Sequence, residues 1–145
     1  VSIPDDVSNA SQITQVAQQY GMCEQTDGNA RALDYSKMLY KRGSQSVQDH
    51  IIERHLSGMI GVSQYFQNSG WRGVLNNNYY TYLFGAQTYD PVRNLHVFDA
   101  PHPLAFLGYI GIRAAYGTDG SGAPAYTNHL VLKSDCRTVI TSYPK

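Results

Sequence analysis

The strongest constraint on this chain is a change of texture at Gly70. Before it, apolar residues recur at helical spacing; after it, short branched and aromatic runs alternate with Asn, Gly and Pro. Ser8 to Tyr20 places Ile13, Val16, Ala17 and Tyr20 on one helix face, with Asp5 or Ser8 to cap it and Gly21 to end it. Thr26 to Asn29 reads as a loop. Ala30 to Arg42 reads as a second helix, with Leu33, Met38 and Leu39 on its apolar side and Lys41-Arg42 in its last turn before Gly43. A third helix begins at Ser44 or Ser46, carries Val47, Ile51, Ile52 and Leu56, and stops at Gly58; a short fourth one spans Ile60 to Gln67. Strands are expected at Trp71 to Val74, Tyr79 to Phe84, Leu95 to Phe98, Phe106 to Tyr116, Ala125 to Lys133 and Arg137 to Tyr143, separated by turn chemistry. Helices first and strands afterwards is an α+β pattern: N-terminal helices packed on a twisted antiparallel β-sheet. Residues 1–145 are expected to form a single domain, with 1–67 mainly helical and 71–145 mainly strands.

Charge narrows the function classes. Lys plus Arg and Asp plus Glu are 11 each, so the formal charge is zero, which argues against a strongly basic nucleic-acid wrapper. The balance is uneven along the chain. Residues 1–30 hold Asp5, Asp6, Glu24 and Asp27 and no Lys or Arg, whereas every basic side chain lies in residues 31–145. The body is therefore mildly basic, which is compatible with a phosphate-bearing substrate. Only 15% of residues are charged, against roughly 25% in ordinary soluble domains. Asn, Gln, Ser, Thr and 12 Tyr supply the polarity instead, a mix common in secreted proteins. No apolar run approaches the roughly 18 residues of a membrane span, and Val1-Ser2-Ile3-Pro4 has neither the basic nor the apolar region of a signal peptide. The chain reads as a mature or excised domain.

Cys23 and Cys136 lie too far apart for a Cys-x-x-Cys motif, and two thiols alone are too few for a structural zinc site. Two readings stay open: a disulfide closing a loop of more than a hundred residues, or two unpaired buried thiols.

The densest reactive cluster is His50-Ile51-Ile52-Glu53-Arg54-His55. Helical zinc ligands need a spacing of three or four, and a spacing of five turns His55 about 140° from His50. The alternative is a solvated helix on which Glu53 and Arg54 balance the two His. Near the C-terminus, alternation puts Thr141 and Tyr143 on one face of the last strand together with Val139, forming a rigid polar pair able to hold a phosphate oxygen. The same pair also suits an ordinary half-exposed strand. His129 depends on the turn before that strand. A two-residue loop at Ser134-Asp135 puts Asn128 opposite Thr141, and a three-residue loop puts His129 there instead. His96 and His102 read as structural. Gly117 to Gly122 lacks the ending of a phosphate loop and reads as a hairpin tip. Asn76 to Tyr82 offers tyrosines for stacking bases or sugars.

The helix His50-Ile51-Ile52-Glu53-Arg54-His55 and the final Val139-Ile140-Thr141-Ser142-Tyr143-Pro144 together resemble motifs of bacterial toxin ribonucleases. These are the barnase/EndoU/colicin/RelE-type superfamily and the RNase A-like C-terminal domains of contact-dependent growth-inhibition toxins. The motifs cover about a tenth of the chain. The resemblance implies an α+β domain that cleaves RNA without a metal or other cofactor, the 2′-hydroxyl attacking the adjacent phosphate. Such chemistry needs a base, an acid and donors to the non-bridging oxygens. By motif position, His55 or His50 is the base or acid, while Thr141 and Tyr143 hydrogen-bond the phosphate. Arg54, Arg72 and Arg113 are candidates for a basic group near it, with Arg72 favoured. His129 is a candidate second His. The resemblance further implies an exported toxin used in interbacterial competition, acting on RNA (tRNA among the candidates) in the cytoplasm of a target cell, with a cognate immunity protein in the producer. The competing expectation is a non-enzymatic secreted module that binds a glycan or a protein. Attack on NAD or DNA is a third, and no acidic metal-binding cluster is evident for a metal-dependent nuclease.

Overall fold

A computed structural model describes residues 21–101 and 115–145. The expected helix Ser8 to Tyr20, most of the strand Phe106 to Tyr116, and His102 and Arg113 lie outside the described residues. The elements in chain order begin with α1 (Asp27–Arg31), β1 (Met38–Tyr40), β2 (Gln45–Ser46), α2 (Val47–His55) and β3 (Gln64–Tyr65). They continue with α3 (Gly70–Phe84), β4 (Ala86–Asp90), β5 (Leu95–Pro101), β6 (Gly117–Thr118), β7 (Pro124–Ala125), β8 (Thr127–Lys133) and β9 (Val139–Pro144). This is an α+β fold. Its centre is a four-stranded antiparallel sheet in the order β4-β5-β8-β9.

Alternation divides that sheet into two faces. Phe98, Ala100, Asn128, Leu130, Leu132 and Ser142 are buried on one, where Val47 and Ile51 of α2 and Val74 and Tyr82 of α3 complete the core. Asp99, His129, Thr141 and Tyr143 are only half-buried and share the other. A bulge at Ile140 decides which residues of β9 go where. Val131 pairs with Thr141, yet Leu132 pairs with Val139, so one residue is skipped. Val139 therefore turns into the core, fully buried, and does not share a face with Thr141 and Tyr143 as strict alternation requires. The turn before β9 is also longer than either expected loop, with the Lys133 N–H donating to the Thr138 carbonyl. Neither expected register holds: His129 faces Tyr143, and Asn128 faces Pro144.

Several expected elements differ. The segment Ala30 to Arg42 is not one helix. A helix starts earlier, within the expected loop, where the Thr26 hydroxyl caps the Asn29 N–H, and it ends at Arg31. Beyond it the backbone finds tertiary partners that outweigh helix propensity. The Asp34 N–H and carbonyl bond Arg137 and Val139, and the Tyr35 and Lys37 carbonyls accept from Gln48 and Val47. Lys41 and Arg42 adopt positive φ in the β1–β2 turn. The expected helix Ile60 to Gln67 is absent because Gly58 and Gly61 take left-handed φ and Gln64 caps α2 instead. Gln64 accepts from the Gly58 N–H at 2.8 Å and donates to the Arg54 carbonyl at 2.6 Å. The largest difference is α3, which replaces the strands expected at Trp71 to Val74 and Tyr79 to Phe84, in the half expected to be mainly strands. Its buried residues Val74, Asn78, Thr81 and Tyr82 follow a helical repeat, but two of them are polar, so the apolar period is hidden.

Those two polar residues belong to a buried network. Asn128 donates to Asn78 Oδ1 at 3.0 Å and to Thr81 Oγ1 at 2.8 Å, and it accepts from the Tyr65 hydroxyl at 2.5 Å. Asn78 donates in turn to Ser142 Oγ at 2.9 Å. Asn128→Leu strands the Tyr65 hydroxyl and the Asn78 and Thr81 oxygens in a dry core, with an expected cost of about 2–4 kcal/mol. Urea unfolding measures this; a midpoint within error of wild type contradicts it.

Candidate active site

Helix α2 forms because the Ser46 hydroxyl caps the Asp49 N–H at 3.1 Å and Val47 and Ile51 pack into the core. His55, its last residue, follows Ile51 by four and is carried to the β9 edge of the sheet with only 5% of its surface exposed. Its Nδ1 lies 2.9 Å from the Ser63 carbonyl oxygen. A carbonyl only accepts, so Nδ1 carries the proton and Nε2 keeps its lone pair.

A row of rings runs from there across the open face. His55 stacks near Tyr143, with centroids 5.2 Å apart, and Tyr143 lies 4.9 Å from His129. The Nδ1 of His129 is 2.7 Å from Asp99 Oδ1, and Lys145 Nζ approaches the same oxygen at 3.3 Å. The carboxylate fixes the His129 tautomer, again leaving Nε2 as the free ring nitrogen. On the other flank, His50 lies 6.0 Å from His55 and stacks flat on Tyr40 at 3.5 Å. The Tyr40 hydroxyl donates to the Ile140 carbonyl and reaches the Thr141 side chain.

The structure thus brings together His50, His55, Thr141 and Tyr143, and adds His129 to them. Arg54 stands four residues after His50 and shares with it, Tyr40 and Lys41 a small cleft of about 160 Å³. Arg72 is not part of the group. It lies exposed in the first turn of α3, whose buried residues pack on the opposite face of the sheet, and among the described residues no hydrogen bond, ion pair or ring contact joins it to the cluster. Two basic residues do reach the cluster: Arg54, beside His50, and Lys145, which rests on Asp99 next to His129. Sequence reasoning missed Lys145, although alternation from Thr141 and Tyr143 leads to it. It also missed Asp99 and Tyr40, which only the pairing of distant strands and turns brings into place.

Burial pushes the His55 imidazole down to about 4, the Ser63 carbonyl opposing this and the charges of His50 and Arg54 adding to it. Burial and the Arg54 charge likewise lower His50. The folded value of His55 lies below the ordinary 6.5, so its contribution to stability is complete above about pH 6.5. It is lost as the pH falls from there through 4, and amounts to on the order of 3 kcal/mol. We expect the unfolding free energy to fall across that window and the slope to flatten in His55→Gln. An unchanged slope in the variant contradicts the burial effect.

Compared with family models, curated proteins and solved structures, the chain matches none.

Proposed function

We propose that this domain is an endoribonuclease that cleaves RNA by attack of a 2′-hydroxyl on the neighbouring phosphate, leaving a 2′,3′-cyclic end. The observation that carries this reading is a pair of imidazoles flanking one tyrosine, each with Nδ1 held by a protein oxygen and Nε2 left for proton transfer. In-line transphosphorylation needs one proton removed on one side of the phosphate and one delivered on the other. His55, neutral near pH 7, takes the 2′-hydroxyl proton. His129, backed by Asp99, gives a proton to the leaving 5′-oxygen, and the carboxylate accommodates the charged ring. Thr141 and Tyr143 donate to the non-bridging oxygens, and Lys145 supplies the positive charge that the developing dianion requires.

The resemblance of the two motifs to bacterial toxin ribonucleases supports the same reading and extends it. The domain would be exported, act in the cytoplasm of a competing cell on an RNA such as a tRNA, and be blocked in its producer by an immunity protein that covers the ring row. Among the described residues no helix is long and apolar enough to cross a membrane.

The binding-module reading rests on a different observation. A groove of about 560 Å³ between α1 and α3 is lined by Arg31, Tyr35, Tyr79 and Tyr80, away from the His row. Incubating the protein with total RNA in EDTA separates the two. Cleavage with cyclic-phosphate ends supports the ribonuclease, and intact RNA at high protein concentration overturns it in favour of the binder.

A further inference from the structure

His96 sits on the core face of β5, opposite Leu132, with 1% of its surface exposed. Its Nδ1 is the one buried side-chain nitrogen or oxygen among the described residues without a hydrogen-bond partner. A buried polar atom left unpaired is destabilising and calls for an explanation. The neighbours of the ring supply one. The ring of Tyr89 lies 5.1 Å away, the Ser134 backbone bonds the ring, the Asp135 carboxylate is near enough to act on it, and the Cys23–Cys136 disulfide lies beside it. The two sulfurs and a ring nitrogen of His96 all lie within 4.8 Å of one another.

We propose that, once the disulfide is reduced, Cys23, Cys136 and His96 bind a zinc ion. Two thiolates and an imidazole are the protein ligands of a known class of three-ligand zinc site, with water in the fourth position. A mixed sulfur and nitrogen set suits zinc better than a hard cation. Donation of Nε2–H to the Ser134 carbonyl would leave the lone pair on Nδ1, the backbone support that ligating histidines commonly have. Tetrahedral bonding places such ligand atoms roughly 3.5–3.8 Å apart, so the sulfurs separate and the ring closes in by small movements.

The steps balance. A dithiol passes two electrons and two protons to the disulfide and becomes a disulfide itself, leaving two thiols on the protein. Zinc, which stays divalent, then displaces one proton from each thiol, and His96 contributes only its lone pair. The staple between the segment before α1 and the β8–β9 turn is thereby kept in a reducing compartment, where the disulfide would be lost. This inference does not depend on RNA cleavage.

The test uses the whole chain, reduced with a phosphine and freed of excess reagent, and titrated with zinc against a chromophoric chelator. We expect one zinc per chain in the reduced protein and none in the oxidised one. We also expect zinc to raise the melting temperature of the reduced form, and His96→Gln to weaken binding at least tenfold. Absent uptake, equal affinity in the variant, or zinc held by a reduced chain that stays unfolded would each overturn the site. If His96→Gln does not fold even when oxidised, the ring nitrogen resonances of wild type decide. Zinc must shift Nδ1 of His96, and an unmoved Nδ1 in zinc-loaded protein rejects the proposal.

Discussion

His129→Gln and His55→Gln are each expected to lower RNA cleavage by about 10²–10⁴-fold, the range that a positioned acid or base contributes. The measurement is the initial rate of cyclic-phosphate release from RNA in EDTA. Both variants should retain the native circular dichroism of wild type, although His55→Gln shifts the pH dependence of stability described above. Combining the two should cost little more than either alone, because an acid and a base acting in one step work as a unit. Thr141→Ala and Tyr143→Ala should each abolish toxicity in a target cell, as should His55→Ala, with the fold preserved. Asp99→Asn should cost about 10–100-fold, since it loosens the ring rather than removing it. The pH profile offers a separate check. A base held at about 4 by burial keeps its lone pair well into the acid range, so the acid limb of kcat/KM should lie near 4 rather than 6.5. If His55, Thr141 and Tyr143 variants all still cleave RNA and kill, the site lies elsewhere.

Removing the disulfide is expected to have the second large effect. The bridge joins Cys23 to Cys136 across 113 residues, and a loop of that size corresponds to about 4–5 kcal/mol in the chain-entropy model. For a domain of this size the loss translates to a melting temperature lower by about 10–20 °C. Cys23→Ser with Cys136→Ser isolates that term. The segment around Cys23 has other ties in the folded state: Gln87 bonds both its N–H and its carbonyl, and Gln25 donates to the Tyr82 and Gly85 carbonyls. The double variant should therefore fold to the same structure and differ mainly in its unfolded ensemble. A melting temperature within two or three degrees of wild type, by calorimetry under oxidising conditions, contradicts the estimate.

How far the residues themselves disclose the fold depends on whether the packing face of each element is apolar. Helix α2 was legible because Ser46 caps it and Val47, Ile51 and Leu56 mark one side. Strands β5, β8 and β9 were legible from their branched and aromatic runs. Helix α3 was not, since Asn78 and Thr81 face inward to bond Asn128 and Ser142, and with its inward face polar the run reads as two strands around an Asn turn. The register of β9 was hidden for another reason. The bulge at Ile140 and the four residues that turn after Lys133 are set by tertiary backbone bonds to Asp34 and by the Asp135 carboxylate, which accepts from the Arg137 and Thr138 N–H groups within the turn, and neither shows in strand alternation. The site shows the same split. The two motifs single out His55, Thr141 and Tyr143, which the fold brings to one place. Their partners Asp99, Lys145 and Tyr40 come from strands and turns whose pairing a single sequence does not reveal. His50 and His55, about 140° apart on the helix, still join one row because Tyr40 from β1 supplies a ring for the first to lie on.

The place of Lys145 has a practical side. Its backbone N–H and carbonyl pair with Thr127, and its ammonium group rests on Asp99 beside His129. Whatever is joined after Lys145, a purification tag or a reporter included, therefore starts at the edge of the row of rings. On the proposed ribonuclease reading, a bulky or acidic extension there competes with RNA for Lys145, and a weakly active tagged preparation should be compared with one bearing a short neutral extension before any side chain is blamed.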